Sequence, residues 1–328
     1  MRISTVPFPV GSGPDDAFGI ICSCQEFDQP DLPALPREAF LAALANPWPG
    51  LTYERYLGLL DGRPVGYLVL GFPQHDNRTV VEVELQVLPG HRRRGVGRAL
   101  FDLAVDRTRA LGRHHLIGGS VQTRPDGSAF AEASGAQAVL QEIRYRLDLR
   151  AADPGRLDAL LAEAWKHAAG YRLVQWVGVP PDDLIDDVAR LDSRLNLDAP
   201  TGDLAIEPER VDADQIRRAE DSNVSRGRET FNSGALLDGR LVGWTAIAGL
   251  LAEPRRAWQQ ITLVEPAHRG HRLGLVLKLE NLRMVRGRRP ELQFIDTLNA
   301  LANEPIIAIN RAIGFAAAES TIQWQLSV

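Results

Sequence analysis

The arginines and glycines at residues 92–98, RRRGVGR, form the part of the chain best suited to binding an anion. They follow an alternating strand pattern and precede a helical pattern. A helix N-terminus carries unpaired N–H groups and about half a positive charge, so a turn that leads into one attracts phosphate. Gly95 and Gly97 lack the Cβ atoms that would hold a phosphate away from those N–H groups. We therefore predict a phosphate-binding turn; the alternative is a surface turn with solvated arginines.

Two carboxylates on the preceding strand are candidates for a general base. Between Val81 and Val87 apolar residues alternate with Glu82, Glu84 and Gln86, so both carboxylates lie on one face of the predicted strand. A carboxylate can take a proton from an attacking amine directly or through water. The alternative is a pair of solvent-facing carboxylates on a half-buried strand.

The same order of strand, turn and helix occurs a second time, at residues 258–282. Residues 266–269, PAHR, correspond to residues 89–92, PGHR, at an offset of 177 positions (268 minus 91), and Gly274 corresponds to Gly97. An internal repeat of this kind predicts two copies of one domain. Arg272 stands where the first copy has Gly95, so its side chain either narrows the second pocket or adds a cation to it.

Two histidines in the second turn also have two interpretations. His268 and His271 could be catalytic, but they lie in the segment that would face phosphates. We therefore favour anion contact or loop structure for both.

Length and composition exclude several classes of protein. The 328 residues can bury two cores of ordinary size, and the 45% apolar and 24% charged content is that of a soluble globular protein. A net charge of −5 gives no reason to expect nucleic acid or an anionic membrane as a partner. No run approaches the ~18 apolar residues of a membrane helix, and the start of the chain has no long apolar core, so we expect a cytoplasmic protein. Cys22 and Cys24 are too few for a disulfide framework or a four-ligand metal site, and no metal is expected.

The elements that must position these groups can be followed along the first half of the chain. Prolines 30, 33 and 36 divide residues 15–46 into two predicted helices, of which 37–46 is the second. The dipeptide at 61–62, Asp-Gly, between alternating apolar runs at 52–60 and 63–72 predicts a hairpin. The strand at 81–87 and its helix follow. A strand at 115–121, a helix at 127–134 and a strand at 139–149 complete the predicted first domain, residues 1–150.

The second half repeats this plan after a predicted connecting helix in residues 151–170. A strand at 171–179, helices at 181–195 and 212–225, and a second Asp-Gly hairpin at 229–249 precede the repeated turn. The polar stretch 196–209 is predicted as an exposed loop long enough to border a site. A strand at 292–298 and a helical segment at 299–315 follow, so the predicted second domain spans residues 171–328.

The pattern Arg92-x-x-Gly95-x-Gly97 after a Val-x-Pro strand end resembles the acyl-CoA pyrophosphate loop of the GNAT superfamily of N-acetyltransferases. The order of elements around it is also similar. The resemblance implies an α/β fold with a mixed α+β sheet, here two tandem GNAT folds, each with a mostly antiparallel central sheet flanked by helices. The paired arrangement resembles tandem two-domain proteins of the mycothiol synthase-like, actinobacterial type.

The resemblance also implies which residues contact acyl-CoA. In the first copy these are Val87, Leu88, Arg92, Arg93, Arg94, Gly95, Val96, Gly97 and Arg98. In the second copy they are Val264, Arg269, Gly270, His271, Arg272, Leu273 and Gly274. The backbone N–H of Val87, or of Val264, would face the thioester carbonyl. A nucleotide-triphosphate loop is excluded, because neither turn ends in Gly-Lys-Ser/Thr.

Asparagines near the end of the chain resemble a further family feature. By resemblance Asn303, with Asn299, would bind the pantetheine arm, although a buried or capping role is equally open. Many relatives place a tyrosine five residues before the phenylalanine of the final Gly-Phe, as proton donor to the thiolate. Here that position is Asn310, and in the first copy it is Ala131, so neither copy has the tyrosine.

These residues together predict transfer of an acetyl group from acetyl-CoA to a primary amine of a small molecule, by direct attack in a ternary complex. Transfer needs a neutral amine, a donor to the developing oxyanion and a leaving thiolate. The alternative is a non-catalytic acyl-CoA-binding or regulatory protein. The acceptor amine, the catalytic copy and the oligomeric state, monomer or homodimer, do not follow from the sequence.

Overall fold

The computed structural model describes residues 2–8 and 13–328, so part of the N-terminal stretch 1–10 in which we noted no apolar core lies outside it. The chain divides into two compact units. Unit 1 consists of Met1–Gln141, Thr201–Glu207 and Ser320–Val328, and unit 2 of Glu142–Pro200 and Pro208–Glu319. Within the described ranges, no helix is long and apolar enough to cross a membrane.

Twelve strands and ten helices are found in the described residues. The strands are β1 (Ile3–Pro7), β2 (Leu51–Leu60), β3 (Arg63–Pro73), β4 (Val80–Val87), β5 (His115–Val121), β6 (Gln137–Asp148), β7 (Arg172–Val177), β8 (Arg228–Leu237), β9 (Arg240–Leu250), β10 (Arg256–Val264), β11 (Phe294–Ala300) and β12 (Ala316–Ser327). The helices are α1 (Pro14–Asp28), α2 (Arg37–Ala45), α3 (Val96–Ala110), α4 (Pro125–Ala133), α5 (Pro154–Trp165), α6 (Ile185–Asp192), α7 (Leu195–Asp198), α8 (Ala213–Ser225), α9 (Leu273–Arg288) and α10 (Glu304–Ile313).

The sheet of unit 1 has the order β1-β2-β3-β4-β5, completed by the C-terminal part of β12. All its pairings are antiparallel except β4 with β5. The two predicted strands of the Asp-Gly hairpin are confirmed as β2 and β3, but β1 was not predicted. The sheet is mixed and mostly antiparallel, as expected.

The alternation of side chains along β4 explains how unit 1 packs helices against both faces of its sheet. One face carries Val81 and Val87, which pack with Leu100 and other apolar residues of α3. The opposite face packs against α1 and α2 through residues such as Ile20 and Tyr67. Glu84 therefore lies on the α1–α2 side of the sheet, because successive side chains of a strand point to opposite faces.

The parallel strands β4 and β5 stay together for only three residue pairs, Val80–His115, Val81–Leu116 and Glu82–Ile117. Beyond Glu82 the two strands continue without pairing, so a gap opens between their C-terminal halves. This gap ends beside the turn that leads into α3, which is where the sequence predicts a phosphate.

Unit 2 has a corresponding sheet in the order β6-β11-β10-β9-β8-β7. Its parallel pair is β10 with β11, which also pair over three positions, from Arg256–Phe294 to Trp258–Asp296. The register of β10 with β9 shifts between Gln259 and Thr262. One face of this sheet packs against α5, α9 and α10, and the other against α6 and α8.

The compact units divide the chain differently from the boundaries at residues 150 and 171 that follow from the sequence. In unit 1, Thr321–Ser327 of β12 pair with β5. In unit 2, Glu142–Asp148 of β6 pair with β11. The alternating pattern of a strand shows which face is buried, but it does not show which strand lies beside it, so this exchange could not be predicted.

The segment predicted as an exposed loop at 196–209 is partly ordered against unit 1. The Ala205 N–H donates to Gln325 Oε1 at 2.7 Å, and the Glu207 N–H donates to Asn77 Oδ1 at 2.5 Å. The four residues that immediately precede Ala199 form the short helix α7. Residues 201–207 therefore belong to the compact body of unit 1.

Lys278 of α9 leads to a prediction about the stability of unit 2. Its side chain is fully enclosed, with the ammonium 5.3 Å from the centre of the Phe315 ring, and burial lowers the pKa of Lys278 to about 7. In the unfolded chain its pKa is about 10.4, so the unfolded state binds more protons between about pH 7 and 10 and stability rises with pH there. We expect Lys278→Met to be several degrees more stable at pH 7 and to lack this rise, as measured by thermal unfolding at several pH values. A parent protein whose melting temperature stays flat over that window would contradict the prediction.

Candidate functional site

A cavity of about 490 Å³ lies in unit 1 at the gap between β4 and β5. Its walls come from the end of α1, the diverging halves of the two strands, the turn before α3 and the start of α4. The lining residues used below are Asp28, Leu85, Gln86, Val87, Arg92, Arg93, Gly95, Gly97, Arg98, Ser120 and Phe130. The cavity thus joins the predicted phosphate turn to the strand that carries the two carboxylates.

The turn before α3 has a backbone suited to anions. Arg93 and Gly95 both have positive φ, 61° and 86°, and Gly95 is the N-cap of the helix. Such a conformation directs successive N–H groups to one side, where the first turn of the helix adds its own. A Cβ atom on Gly97 would lie 3.6 Å from Phe130 and 3.7 Å from Val87, so a larger side chain there would fill the cavity.

The second turn keeps the same backbone although its residues differ. Gly270 has a φ of 87° and Arg272 a φ of 54°, matching the values at Arg93 and Gly95. Compared with the first turn, the glycine stands two positions earlier, where the first turn has Arg93. Both positions with a positive φ are kept. Arg272 is therefore accommodated without a change of backbone path, at the cost of placing a non-glycine residue in that conformation.

Arg92 has a structural task in addition to any contact with a ligand. Its Nε donates to the Val87 carbonyl at 3.1 Å, and its two terminal nitrogens donate to the Asp28 carboxylate at 2.9 and 2.5 Å. The guanidinium of Arg92 therefore joins the end of α1 to the end of β4, while Arg92 also lines the cavity. Arg93 and Arg94 are exposed and have no acidic partner among the described residues, so they are the cations available to a phosphate.

The different contacts of Arg92 and Arg93 lead to a prediction. We expect Arg92→Ala to lower the unfolding temperature of unit 1 by a few degrees, because its half-buried pair with Asp28 is lost and Asp28 is left without its bidentate partner. Arg93→Ala should leave that temperature unchanged and weaken acetyl-CoA binding a few-fold, more at low salt than at high salt. Differential scanning calorimetry and titration calorimetry on both variants distinguish the two roles, and equal melting temperatures would refute the structural one.

Backbone alternation identifies the N–H groups that face the gap. The Leu88 N–H donates to Val65 on β3 at 2.9 Å, so the N–H groups of Val87 and Leu85 point the other way, toward β5. Pairing with β5 ends at Glu82, so both groups face the cavity. Val87 was predicted for this task. Leu85 was missed, although the strand period of two could have identified it.

The two carboxylates share one face of β4, which is the face toward α1 and α2, and both side chains are exposed. Glu84 stands beside Arg55 of β2 across Val69, and Glu82 stands beside Gly71. The Glu84 side chain is exposed, but the protein around it still desolvates the carboxyl and raises its pKa, and the charge of Arg55 offsets part of the rise. Burial raises the pKa of Tyr67 to about 12, so this phenol stays neutral. Glu84 lies ~7 Å along the strand from Gln86, which lines the cavity.

The turn in unit 2 is occupied by contacts within its own unit. Arg269 donates through Nε to the Val264 carbonyl at 3.1 Å and pairs with Asp198 at 3.1 Å, as Arg92 does with Val87 and Asp28. The Tyr171 hydroxyl lies 3.0 Å from His268 Nδ1. His271 Nδ1 lies 3.3 Å from the carbonyl of His167. These contacts agree with a structural role for the two histidines.

The strand β10 of unit 2 lacks the groups that make β4 suitable for catalysis. Gln259 and Ile261 stand at the positions of Glu82 and Glu84, and Ile261 and Leu263 are buried in the core formed with α6 and α8. Where β10 and β11 part, Thr297 Oγ1 donates to the Gln259 carbonyl at 3.3 Å and bridges the two strands. The strand β10 therefore carries no carboxylate on this face, and the gap beside it is partly closed.

Two of the asparagines, Asn299 and Asn310, are hydrogen-bonded to each other. Asn310 is fully buried and its amide donates to Asn299 Oδ1 at 2.8 Å. A fully buried amide cannot reach a leaving thiolate, so Asn310 is withdrawn as a catalytic candidate. Asn303 is the N-cap residue of α10, but its side chain makes no capping hydrogen bond.

Some residues of the site gave no signal in the sequence. Asp28 and Arg55 are ordinary charged residues of a helix and a strand, and only the fold brings them to Arg92 and Glu84. No group of three or more histidine, cysteine or acidic side chains in the described residues could hold a metal ion.

Comparisons with known proteins agree with the element order. Residues 22–126 match the family described as Acetyltransferase (GNAT). The whole chain is similar to a solved tandem GNAT protein from the clavulanic acid biosynthesis pathway, at 28% identity, over 99% of this chain and 98% of the other, with a TM-score of 0.81. No curated protein gives a match.

Two more distant structures share the fold. A GCN5-related N-acetyltransferase from Sphaerobacter thermophilus is 17% identical over 99% of this chain and 96% of its own, with a TM-score of 0.68. A putative acetyltransferase from Pyrococcus horikoshii is 14% identical over 99% and 89%, with a TM-score of 0.54. These matches bear out the tandem architecture and the fold class inferred from the repeat.

Proposed function

We propose that this chain, which carries a GNAT acetyltransferase domain at residues 22–126 within a tandem GNAT fold, transfers an acyl group from acyl-CoA, most simply acetyl-CoA, to a primary amine. The observation that carries the proposal is the cavity of unit 1. It connects an anion-binding turn to a strand with free N–H groups and a carboxylate of raised pKa. The amine is proposed to belong to a small molecule.

The residues of the cavity suit the parts of acyl-CoA in order along β4. Arg93, Arg94 and the N–H groups at the start of α3 would bind the pyrophosphate. The Gln86 Oε1 atom is buried in the wall and has no hydrogen-bond partner within the described residues, so it would accept from an amide N–H of the pantetheine arm. The thioester lies at the far end of that arm from the phosphates. The Leu85 N–H, farther from the turn than Val87, is therefore the better placed donor to the developing oxyanion.

Glu84 is proposed as the base. It lies next to Leu85 in the chain, its side chain is exposed on the α1–α2 side of the sheet, and its raised pKa matches a group that must accept a proton from an ammonium ion or an attacking amine. Direct attack of the amine on the thioester carbonyl then forms the C–N bond as the C–S bond breaks. Much of the acceleration would come from orientation of the two substrates.

Unit 2 is proposed to be non-catalytic. Its strand has Ile261 where Glu84 stands, and its turn cations are paired with Asp198 or lie beside His167 and Glu163. This observation favours a scaffold role for unit 2 over a second active site. For unit 2, the proposal therefore agrees with the alternative inferred from the sequence, in which the acyl-CoA-related fold has no catalytic role.

The proposal is tested by release of free thiol from acetyl-CoA in the presence of an amine panel of amino acids, amino sugars and polyamines. We expect thiol release with at least one amine and acetylation of that amine by mass spectrometry. Binding of acetyl-CoA without thiol release from any amine would favour the non-catalytic alternative for the whole chain. No binding at all would refute the proposed function.

A further inference from the structure

A pair of serine hydroxyls forms part of the wall of the cavity in unit 1. Ser120 of β5 lines the cavity, and its Oγ lies 2.9 Å from the Oγ of Ser128 on α4. The indole N–H of Trp324 donates to Ser120 Oγ at 2.8 Å. The side-chain amide of Gln122 donates to Ser128 Oγ at 2.9 Å. Each serine thus accepts a hydrogen bond, and the indole N–H that binds Ser120 can act only as a donor.

A count of hydrogens shows what this arrangement leaves available. Each hydroxyl has one hydrogen and two acceptor sites, whereas an indole N–H can only donate. One of the two hydroxyl hydrogens forms the bond between Ser120 and Ser128. The other is not used within the pair. Either hydroxyl can be the donor of that bond. When Ser128 donates, Ser120 accepts from both Ser128 and Trp324, and its own hydrogen is available to the cavity that Ser120 lines.

The position of Ser120 along the gap indicates what it faces. The last paired residues of the diverging strands are Glu82 and Ile117. Three residues farther along each strand are Leu85 and Ser120, which therefore lie on opposite sides of the gap. Leu85 is the residue whose N–H we assign to the thioester carbonyl, and the sulfur is bonded to that same carbonyl carbon.

We propose that Ser120 donates a hydrogen bond to the sulfur that leaves during acyl transfer, held in position by Trp324 and Ser128. This inference rests on the proposed function. As the amine nitrogen bonds to the carbonyl carbon, the C–S bond breaks and its electron pair remains on sulfur. Ser120 keeps its own proton and stabilises the thiolate, the proton of the amine goes to Glu84, and the thiolate is later protonated by water.

The chemistry explains why a hydroxyl is sufficient here. A thiol of pKa near ~8.5 is a fair leaving group near neutral pH, so a full proton transfer is unnecessary. A hydrogen bond to a charged atom strengthens as the charge develops, which makes it a transition-state interaction rather than a ground-state one. Ser120 therefore acts on the rate of transfer and much less on the affinity for acetyl-CoA.

The test compares Ser120→Ala with Ser128→Ala and the parent in thiol-release assays with the best amine of the panel. We expect Ser120→Ala to lower kcat roughly 10- to 100-fold, the effect of losing a hydrogen bond to a charged group, with the dissociation constant of acetyl-CoA changed less than about 3-fold. Ser128→Ala should keep kcat within about 3-fold, because Ser120 still has its donor in Trp324. Ser120→Thr, which restores the hydroxyl, should recover most of the rate.

The outcomes separate this inference from the proposed function. A parent protein that releases no thiol overturns the proposed function and this inference with it. An active parent with an equally active Ser120→Ala overturns the inference alone. A Ser120→Ala that loses acetyl-CoA affinity at unchanged kcat would also overturn it, because the hydroxyl would then bind the arm of the ligand. If Ser120→Ala fails to fold, a Ser120→Thr variant that folds and has no activity overturns the inference as well.

Discussion

Replacement of Glu84 by glutamine is expected to lower kcat/KM for acyl transfer by roughly 100-fold or more, which is the lower range of the contribution of a general base. The side chain keeps its size but can no longer accept a proton. Acetyl-CoA binding should be unchanged, because the turn and the N–H groups of the gap are untouched. Steady-state kinetics with a saturating amine, together with titration calorimetry of acetyl-CoA, measure the two effects separately.

Glu82→Gln is the matched control, since Glu82 lies on the same face of β4, two residues farther from the cavity. We expect it to change kcat/KM less than about 5-fold. Desolvation by the surrounding protein raises the pKa of Glu84, and a base works only when deprotonated, so the rate of the parent should rise with pH through that raised pKa, above the ordinary range of a glutamate. A Glu84→Gln variant that keeps both the rate and this acidic limb would exclude Glu84 as the base.

Removal of Ser320–Val328 is expected to abolish acetyl-CoA binding, with a loss of affinity of at least about 100-fold, although these residues lie far from the turn in sequence. Seven of them, Thr321–Ser327, pair with β5, which forms one side of the gap. Trp324 is buried there, and Leu326 and Val328 pack against the core beneath α3. Without this strand β5 becomes an edge and the cavity loses its outer support.

Trp324→Phe is the control for this truncation. It keeps an aromatic ring at this position and removes the pyrrole part of the indole together with the N–H donated to Ser120. We expect it to bind acetyl-CoA within about 3-fold of the parent and to unfold at a similar temperature. A truncated chain that binds acetyl-CoA as the parent does would show that unit 1 is complete without the C-terminal strand.

The sequence was sufficient for much of the fold because its signals are local. The period of two in β4, the Asp-Gly turns of both hairpins and the glycines of the turn each act within a few residues. The turn occurs again 177 positions later in the sequence, so the order of the elements around it could be recognised in two copies. These local signals sufficed for the tandem fold and for the position of the turn before α3.

The remaining features depend on contacts between distant parts of the chain. β1 has a pattern too short to be distinguished from a loop, and it is ordered by pairing with β2. Arg92 has the same sequence pattern whether it faces a phosphate or, as here, Asp28. The serine pair could not be predicted, because Ser120, Ser128 and Trp324 belong to no recognisable motif. Trp324 reaches Ser120 only because the C-terminal strand β12 pairs with β5.

The central claim, that unit 1 alone is the acyl-CoA site, is tested most directly by the stoichiometry of acetyl-CoA in native mass spectrometry. The parent should bind one molecule per chain. Gly97→Phe should bind none, because the ring would fill the cavity beside Phe130, and Gly274→Phe at the corresponding position of unit 2 should still bind one. Two molecules on the parent, or one that is lost only in Gly274→Phe, would contradict the account.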